Sequence, residues 1–155
     1  MADRCYADVH GYELAVPDAW YDILDYERSA LQNGIGPDRW PPLYCQLLDG
    51  LTGFHPAADV HDVDYCLGRT REDRLAADRR FWWNCLRIVL ADLLKAGIWQ
   101  VSWRKVLARL LLARALYRAL RLRGQQAFVV STKLDLRVRG QAAVTEYDDL
   151  YEGEV

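Results

Sequence analysis

Two stretches with helical character are separated by only a few residues in the middle of this chain. The first covers about 56–68, because proline is tolerated in the first turn of a helix and glycine favours its termination. The second covers about 72–95. Helices joined by so short a turn lie antiparallel, so we expect His61 on the first helix at the same height as Asp78 on the second.

The chain as a whole is predicted to be one mainly α-helical domain over residues 1–155. With 155 residues, 52% of them apolar, it is long enough to bury one hydrophobic core but short for two domains with a core each. Residues 1–20 are expected to be irregular or extended, and 139–155 to form a flexible acidic tail. Further helices are predicted at 19–32, 43–51 and 101–123, the last closed by Gly124.

The sequence gives little indication of export or membrane insertion. The N-terminus lacks a basic segment followed by a long apolar run, and no stretch of eighteen apolar residues occurs. The cysteines (Cys5, Cys45, Cys66 and Cys85) form no CxxC pair, which argues against a zinc ribbon or a redox motif. We therefore expect a protein that is made in the cytoplasm without a signal peptide and keeps its thiols free.

The string His61-Asp62-Val63-Asp64-Tyr65 carries the main chemical signal. His61 and Tyr65 are four residues apart and share a helical face, whereas Asp62 points about 100° away from His61. Asp78, on the facing helix, can accept a hydrogen bond from the imidazole. Such a bond fixes the tautomer and leaves the other ring nitrogen able to take a proton from water.

A glycine-bearing segment, residues 32–37, precedes this helix by about two dozen residues. Gly34 and Gly36 allow backbone conformations that direct several carbonyl groups at one point. Calcium takes about six to eight oxygen ligands, carbonyls and carboxylates among them, so Asp62 and this loop form a suitable set. A cation there would polarise an ester carbonyl, which makes a calcium-assisted ester hydrolase the leading hypothesis.

These three elements, in this order, resemble the phospholipase A2 superfamily. The resemblance is strongest to its small bacterial, fungal and phage branch and to the phospholipase domain of parvovirus capsids. The matching segments are the loop at 33–40, the helix at 54–65 and the second-helix signature at 78–81, and the resemblance extends over a core of about 32–128. It implies two antiparallel helices with a calcium-binding loop, to which the C-terminal basic helix is an addition.

The resemblance also implies roles for the residues. His61 would be the general base that activates water, Asp78 would orient His61, and Tyr65 would hydrogen-bond Asp78. The Gly34 amide would face the oxyanion. The implied reaction is hydrolysis of the sn-2 ester of glycerophospholipids at a membrane surface, without an acyl-enzyme.

Calcium is the cofactor that the resemblance implies. Asp62 would be its carboxylate ligand, and the loop would supply backbone carbonyls from Gln32, Gly34 and Gly36. Secreted members carry disulfide cysteines where this chain has Ala58 and Asp64. Packing must then hold the two helices together, which agrees with a reducing compartment. A calcium-dependent lipase made in a calcium-poor cytosol would suit a phage, virion-associated or otherwise delivered protein.

The helix at 101–123 offers an alternative function. It is basic, contains no acid and carries two apolar stripes, of which a surface helix needs only one. Either the helix is sandwiched within the protein, or its second stripe meets lipid, another copy or a protein partner. Nucleic acid is not expected, because no recognised nucleic-acid-binding fold accompanies the charge. A non-catalytic phospholipase A2-like module acting through this helix is therefore the second hypothesis.

Three further polar residues are assigned no chemical role from the sequence. Asp64 is expected to be a solvated helix charge, and His55 a loop residue before Pro56. His10 has no recognisable context.

Overall fold

The computed structural model describes residues 5–24, 48–97 and 100–125, together with Arg28, Leu31 and Phe128. The chain is mainly helical, as predicted. The predicted calcium loop, with Gln32, Gly34 and Gly36, lies outside the described residues, as does the tail at 139–155.

The N-terminal segment, expected from the sequence to be irregular or extended, is extended and forms a β-hairpin. Strand β1 (Cys5–Val9) pairs antiparallel with β2 (Tyr12–Val16). His10 and Gly11 both have positive φ, 53° and 80°, as in the two-residue turns that suit the twist of a hairpin. The predicted helix over 19–32 is wrong at its start, where Asp18–Asp22 forms a short 3-10 helix followed by an extended Ile23.

Two long helices form the body of the domain. Helix α1 (His55–Leu67) ends before Gly68, and α2 (Arg71–Ala96) begins after Thr70, close to the predicted bounds. Thr70 and Asp73 form a capping box, in which each side chain accepts a hydrogen bond from the backbone N–H of the other. Backbone N–H groups at Arg69 and Thr70 lower the pKa of Asp73, so its charge is favoured at the start of α2.

A third long helix, α3, covers residues 103–125, and residues 48–52 are also helical, where a helix was predicted over 43–51. The prediction that Gly124 ends α3 is wrong, because the helix continues through that residue. One of its apolar stripes packs against the core, with Val106 and Ala113 buried. The other stripe is exposed along its whole length, so α3 is not sandwiched between described parts of the protein; its members are Ala108, Leu111, Ala115, Ala119 and Leu122.

The main core lies where the hairpin, α1, α2 and α3 meet, and it includes the fully buried Leu14, Phe54, Val63 and Ile88. Asn84 joins β2 to α2 from within this core. Its side-chain amide accepts a hydrogen bond from the Ala15 N–H at 2.9 Å and donates one to the Ala15 carbonyl at 2.8 Å. Asn84 thus satisfies both backbone groups of a buried strand residue.

Candidate active site

The side chains of His61, Tyr65 and Asp78 meet between α1 and α2. His61 Nε2 lies 3.3 Å from Asp78 Oδ1, and the Tyr65 hydroxyl donates a 2.6 Å hydrogen bond to the same oxygen. All three residues are buried, and Asp78 has no exposed surface. The antiparallel register expected from the short turn is therefore present, with residue 61 facing residue 78.

Asp78 is buried as a charged group. Burial alone would raise its pKa, but hydrogen bonds from His61 and Tyr65, with the charges of His61 and Arg74, outweigh burial and hold the pKa below its ordinary value. The second carboxylate oxygen, Oδ2, has no hydrogen-bond partner, although Arg121 Nη1 lies 3.7 Å away. Asp78 is thus an anion that can stabilise a positive charge on His61.

Tyr65 serves as a neutral donor in this arrangement. Its pKa is raised, chiefly by burial and then by its hydrogen bond to the Asp78 carboxylate. Its ring centroid lies 4.0 Å from that of His61 and 5.3 Å from that of Phe128. Tyr65 therefore contacts both other members of the cluster: its hydroxyl donates to Asp78, and its ring packs against the imidazole of His61.

The imidazole of His61 keeps one nitrogen available. Nε2 faces Asp78, and none of the described residues hydrogen-bonds Nδ1. The ring is held laterally by Tyr65 and by Phe81, whose ring centroid is 5.4 Å away in an edge-on arrangement. A neutral imidazole with this tautomer can accept a proton at Nδ1.

Helix α3 closes the site from the side of Tyr65. Gly124 lies so close to the Tyr65 hydroxyl that a methyl group at this position would overlap it. Phe128 covers the end of α1, where its Cε2 would lie 2.6 Å from a Cβ added to Gly68. Glycine at position 124 is therefore required by close approach and not by helix termination.

Asp62, the predicted calcium carboxylate, follows His61 on α1 and is half-buried. Its other proposed co-ligands, the carbonyls of Gln32, Gly34 and Gly36, lie outside the described residues, as does the proposed oxyanion donor at Gly34. The described part of the donor set is one hard carboxylate oxygen, a ligand type that suits calcium.

Asp64 is not the solvated charge expected from the sequence. It is buried and forms an ion pair with Arg80 of α2, in which the single nitrogen Nη1 donates to both carboxylate oxygens. Burial raises the pKa of Asp64 despite the opposing charge and hydrogen bonds of Arg80. This ion pair links α1 to α2 at a position where the resemblance would place a disulfide. Cys85 carries a free, buried thiol and so forms no bridge to Cys66.

A second polar cluster lies at the other end of α1, and sequence reasoning missed it. Asp59 accepts a 2.8 Å hydrogen bond from His10 Nε2 in the hairpin turn, and His55 Nε2 lies 3.5 Å from the same carboxylate oxygen. The His55–Asp59 spacing of four residues was the available local signal. His10 is 49 residues away from Asp59 in sequence, and nothing local pointed to it.

The described surface also has a shallow groove between β1, β2 and α2, lined by Tyr6, Ala15, Trp83, Leu86, Arg87 and Leu90. These α2 residues face away from Asp78, so the groove does not include the His61 cluster. Within the described ranges, no helix is long and apolar enough to cross a membrane.

Comparison with known proteins identifies no relative: no family model matches the chain, and no curated protein or solved structure matches it significantly.

Proposed function

We propose that this protein is a calcium-dependent, phospholipase A2-like hydrolase of the sn-2 ester of glycerophospholipids. The observation that carries the proposal is the buried contact of His61 and Tyr65 with one oxygen of Asp78. A carboxylate with a lowered pKa, an oriented imidazole and a phenol between antiparallel helices match the arrangement that the sequence resemblance implies. The sequence resemblance at 33–40, 54–65 and 78–81 favours the small bacterial, fungal, phage and parvovirus-like branch of that superfamily, and membership of that branch is part of the proposal.

In the proposed reaction, His61 is the general base. Nδ1 takes a proton from a water molecule as its oxygen attacks the ester carbonyl, and the resulting imidazolium is stabilised by the Asp78 carboxylate. The same proton then passes from Nδ1 to the leaving oxygen of the lysophospholipid as the acyl–oxygen bond breaks. Tyr65 keeps Asp78 in place throughout, so the imidazole does not rotate away from its partner.

Asp62, with carbonyl groups of Gln32, Gly34 and Gly36, is proposed to hold the calcium ion. When bound, calcium supplies a positive charge that stabilises the oxyanion formed at the ester carbonyl. The Gly34 amide is proposed as a second oxyanion donor. Asp62 follows His61 directly on α1, so the two side chains project about 100° apart around the helix axis. The base and the proposed calcium carboxylate can therefore face neighbouring sites.

The direct test is hydrolysis of a fluorescent sn-2-labelled phospholipid in vesicles, with calcium and with chelator. We expect release of the labelled fatty acid with calcium only, and its loss in His61→Gln. Glu72→Gln, which alters an exposed acid at the start of α2, is the control and should retain activity. Absence of calcium-dependent release by the unaltered protein, or full release by His61→Gln, would contradict the proposal.

Calcium binding can be tested separately by calorimetry. Asp62→Asn should abolish the heat of calcium binding while the thermal unfolding of the protein is retained. Unchanged calcium affinity in Asp62→Asn would remove that residue from the proposed ligand set.

A second candidate function is a non-catalytic phospholipase A2-like module that acts through α3. The exposed stripe of α3 favours it, because Leu111 and Leu122 are 60% and 84% exposed. Exposed arginines flank this stripe, among them Arg114 and Arg118, and would suit anionic headgroups. Such a surface also serves the enzyme, since a lipid hydrolase must reach its substrate at a membrane.

Sedimentation with anionic vesicles, combined with the hydrolysis assay on the same vesicles, separates the two candidates. Leu111→Asp with Leu122→Asp should reduce binding in either case. A non-catalytic module predicts that vesicle binding persists without any hydrolysis under conditions where calcium is bound.

The enzyme proposal includes delivery to a calcium-containing compartment, as for a phage or virion-associated protein. A calcium-dependent hydrolase would be inactive in the calcium-poor cytoplasm in which it is made.

A further inference from the structure

The cluster of His10, His55 and Asp59 joins the hairpin turn to the first turns of α1. Its possible ligand atoms, one from each side chain, all lie within 4.8 Å of one another. The two imidazoles are about half exposed, whereas the Asp59 side chain is only 1% exposed. The carboxylate therefore lies at the floor of the cluster, with the imidazoles at its rim.

Asp59 is incompletely satisfied by its neighbours. Its Oδ2 contacts both imidazoles, but its Oδ1 is buried and has no hydrogen-bond partner. Among the described residues, no lysine or arginine pairs with this carboxylate. A buried carboxylate that lacks a permanent positive partner is costly, and a bound cation would remove that cost.

The donor types and their spacing suit a transition metal. Two imidazole nitrogens and one carboxylate oxygen are common zinc ligands, and zinc–ligand bonds of about 2.0–2.2 Å place neighbouring tetrahedral donors about 3.3 Å apart. Asp59 Oδ2 lies 2.8 Å from His10 Nε2 and 3.5 Å from His55 Nε2, on either side of that value. Small side-chain shifts would admit an ion.

The surroundings also support ligand orientation. His10 adopts a left-handed backbone conformation, φ 53°, that directs it from the turn toward α1. The other ring nitrogen of His55, Nδ1, lies 3.8 Å from Asp49 Oδ2. Metal-ligating histidines commonly donate their second ring N–H to a carboxylate, and Asp49 is placed for that role after a small movement.

We propose that His10, His55 and Asp59 form a zinc-binding site that fastens the hairpin turn to the start of α1. Asp49 orients His55, and water fills the fourth position. The site is separate from the proposed calcium site: its two nitrogen ligands favour zinc, whereas calcium prefers oxygen ligands. The proposal does not depend on the hydrolase assignment.

The test is titration of chelator-treated protein with Zn²⁺, followed by calorimetry, and with Co²⁺, followed by its visible absorption. We expect one Zn²⁺ per chain and a tetrahedral Co²⁺ spectrum. His10→Asn and His55→Ala should each weaken Zn²⁺ binding by more than about tenfold. Asparagine is chosen at position 10 because it tolerates positive φ, so the turn is preserved. Zn²⁺ should also raise the melting temperature of the unaltered protein but not that of His10→Asn.

His61→Gln serves as the matched histidine control and should bind Zn²⁺ as the unaltered protein does. Excess Ca²⁺ should not displace the metal. The proposal is overturned if the unaltered protein binds no Zn²⁺, or if His10→Asn binds it equally well. Loss of binding in His61→Gln, or displacement by Ca²⁺, would place the metal elsewhere and would equally overturn it.

Discussion

The Tyr65 hydroxyl donates a 2.6 Å hydrogen bond to Asp78 across the gap between α1 and α2. Asp78 is fully buried and its Oδ2 has no hydrogen-bond partner. The contacts of Oδ1 with Tyr65 and His61 therefore chiefly offset the cost of burying the carboxylate charge. The stability of the two-helix body and the orientation of the proposed base therefore depend on the same contact.

Tyr65→Phe should lower the free energy of unfolding by about 1–3 kcal/mol, because a buried carboxylate loses its shortest hydrogen bond. Urea unfolding at neutral pH measures the change. Tyr117→Phe is the control, since the Tyr117 hydroxyl forms no hydrogen bond with the described residues, and it should have little effect. Equal losses in the two variants would show that the Asp78 contact is not the cause.

Gly124→Ala should destabilise the protein, although alanine normally stabilises a helix by up to about 1 kcal/mol relative to glycine. The added methyl group would overlap the Tyr65 hydroxyl, and an overlap of this kind in a packed site costs about 1–3 kcal/mol. Gly50→Ala provides the comparison, because Gly50 is helical and nothing lies within 4 Å of its added Cβ. Thermal unfolding should show opposite signs for the two variants, and a stabilising Gly124→Ala would contradict the close approach.

Arg80→Met should cost about 2–4 kcal/mol at neutral pH, because it leaves the buried Asp64 carboxylate without its partner. Arg79→Met, at the exposed neighbouring position, should have little effect. Adding Asp64→Asn to Arg80→Met should restore part of the loss, since the unpaired charge is removed. Urea unfolding of the single and double variants measures these changes.

The loss in the free energy of unfolding caused by Arg80→Met should also depend on pH. Burial already holds the pKa of Asp64 above its ordinary value, and removal of the opposing Arg80 charge raises that pKa further. A carboxyl group whose pKa is higher in the folded state favours folding when protonated, and this contribution is lost as pH rises through the folded pKa. The difference between Arg80→Met and the unaltered protein should therefore shrink as pH falls from neutral, and a growing difference would contradict this account.

Asn84→Leu should cost about 2–4 kcal/mol, because the Ala15 N–H and carbonyl would both be left buried without partners. Asn84→Asp retains an acceptor for the N–H but loses the donor to the carbonyl. Hydrogen exchange of the Ala15 amide should accelerate strongly in Asn84→Leu. Leu94→Ala, on the exposed side of α2, should leave that rate unchanged. Unaltered protection of Ala15 in Asn84→Leu would show that Asn84 does not hold the strand.

The helices and the His61–Asp78 register were predictable because their signals are local. A proline near the start of α1, a glycine after its end and a three-residue turn fix the antiparallel geometry. The hairpin was not predictable in the same way. Its strands are five residues long, and Asn84, which holds Ala15, lies 69 residues away from it in sequence.

The errors at Asp64 and Gly124 have a common physical origin. Local rules treat an aspartate on a helix as solvated and a glycine near a helix end as a stop signal. In the structure, Arg80 of the next helix reaches Asp64, and the ring of Tyr65 occupies the space beside Gly124. Both assignments depend on a neighbour from another helix, which rules for single helices do not consider.

The cover that α3 provides over Tyr65 has a consequence for biosynthesis. Asp78 and its partners on α1 are translated well before Gly124 and Phe128 emerge. On the ribosome, the carboxylate and the imidazole therefore remain uncovered on the side of Tyr65 until residues 124–128 have been added and have emerged. Sealing of this polar cluster is expected to follow the synthesis of α3, and translation products that stop before residue 124 should leave it accessible.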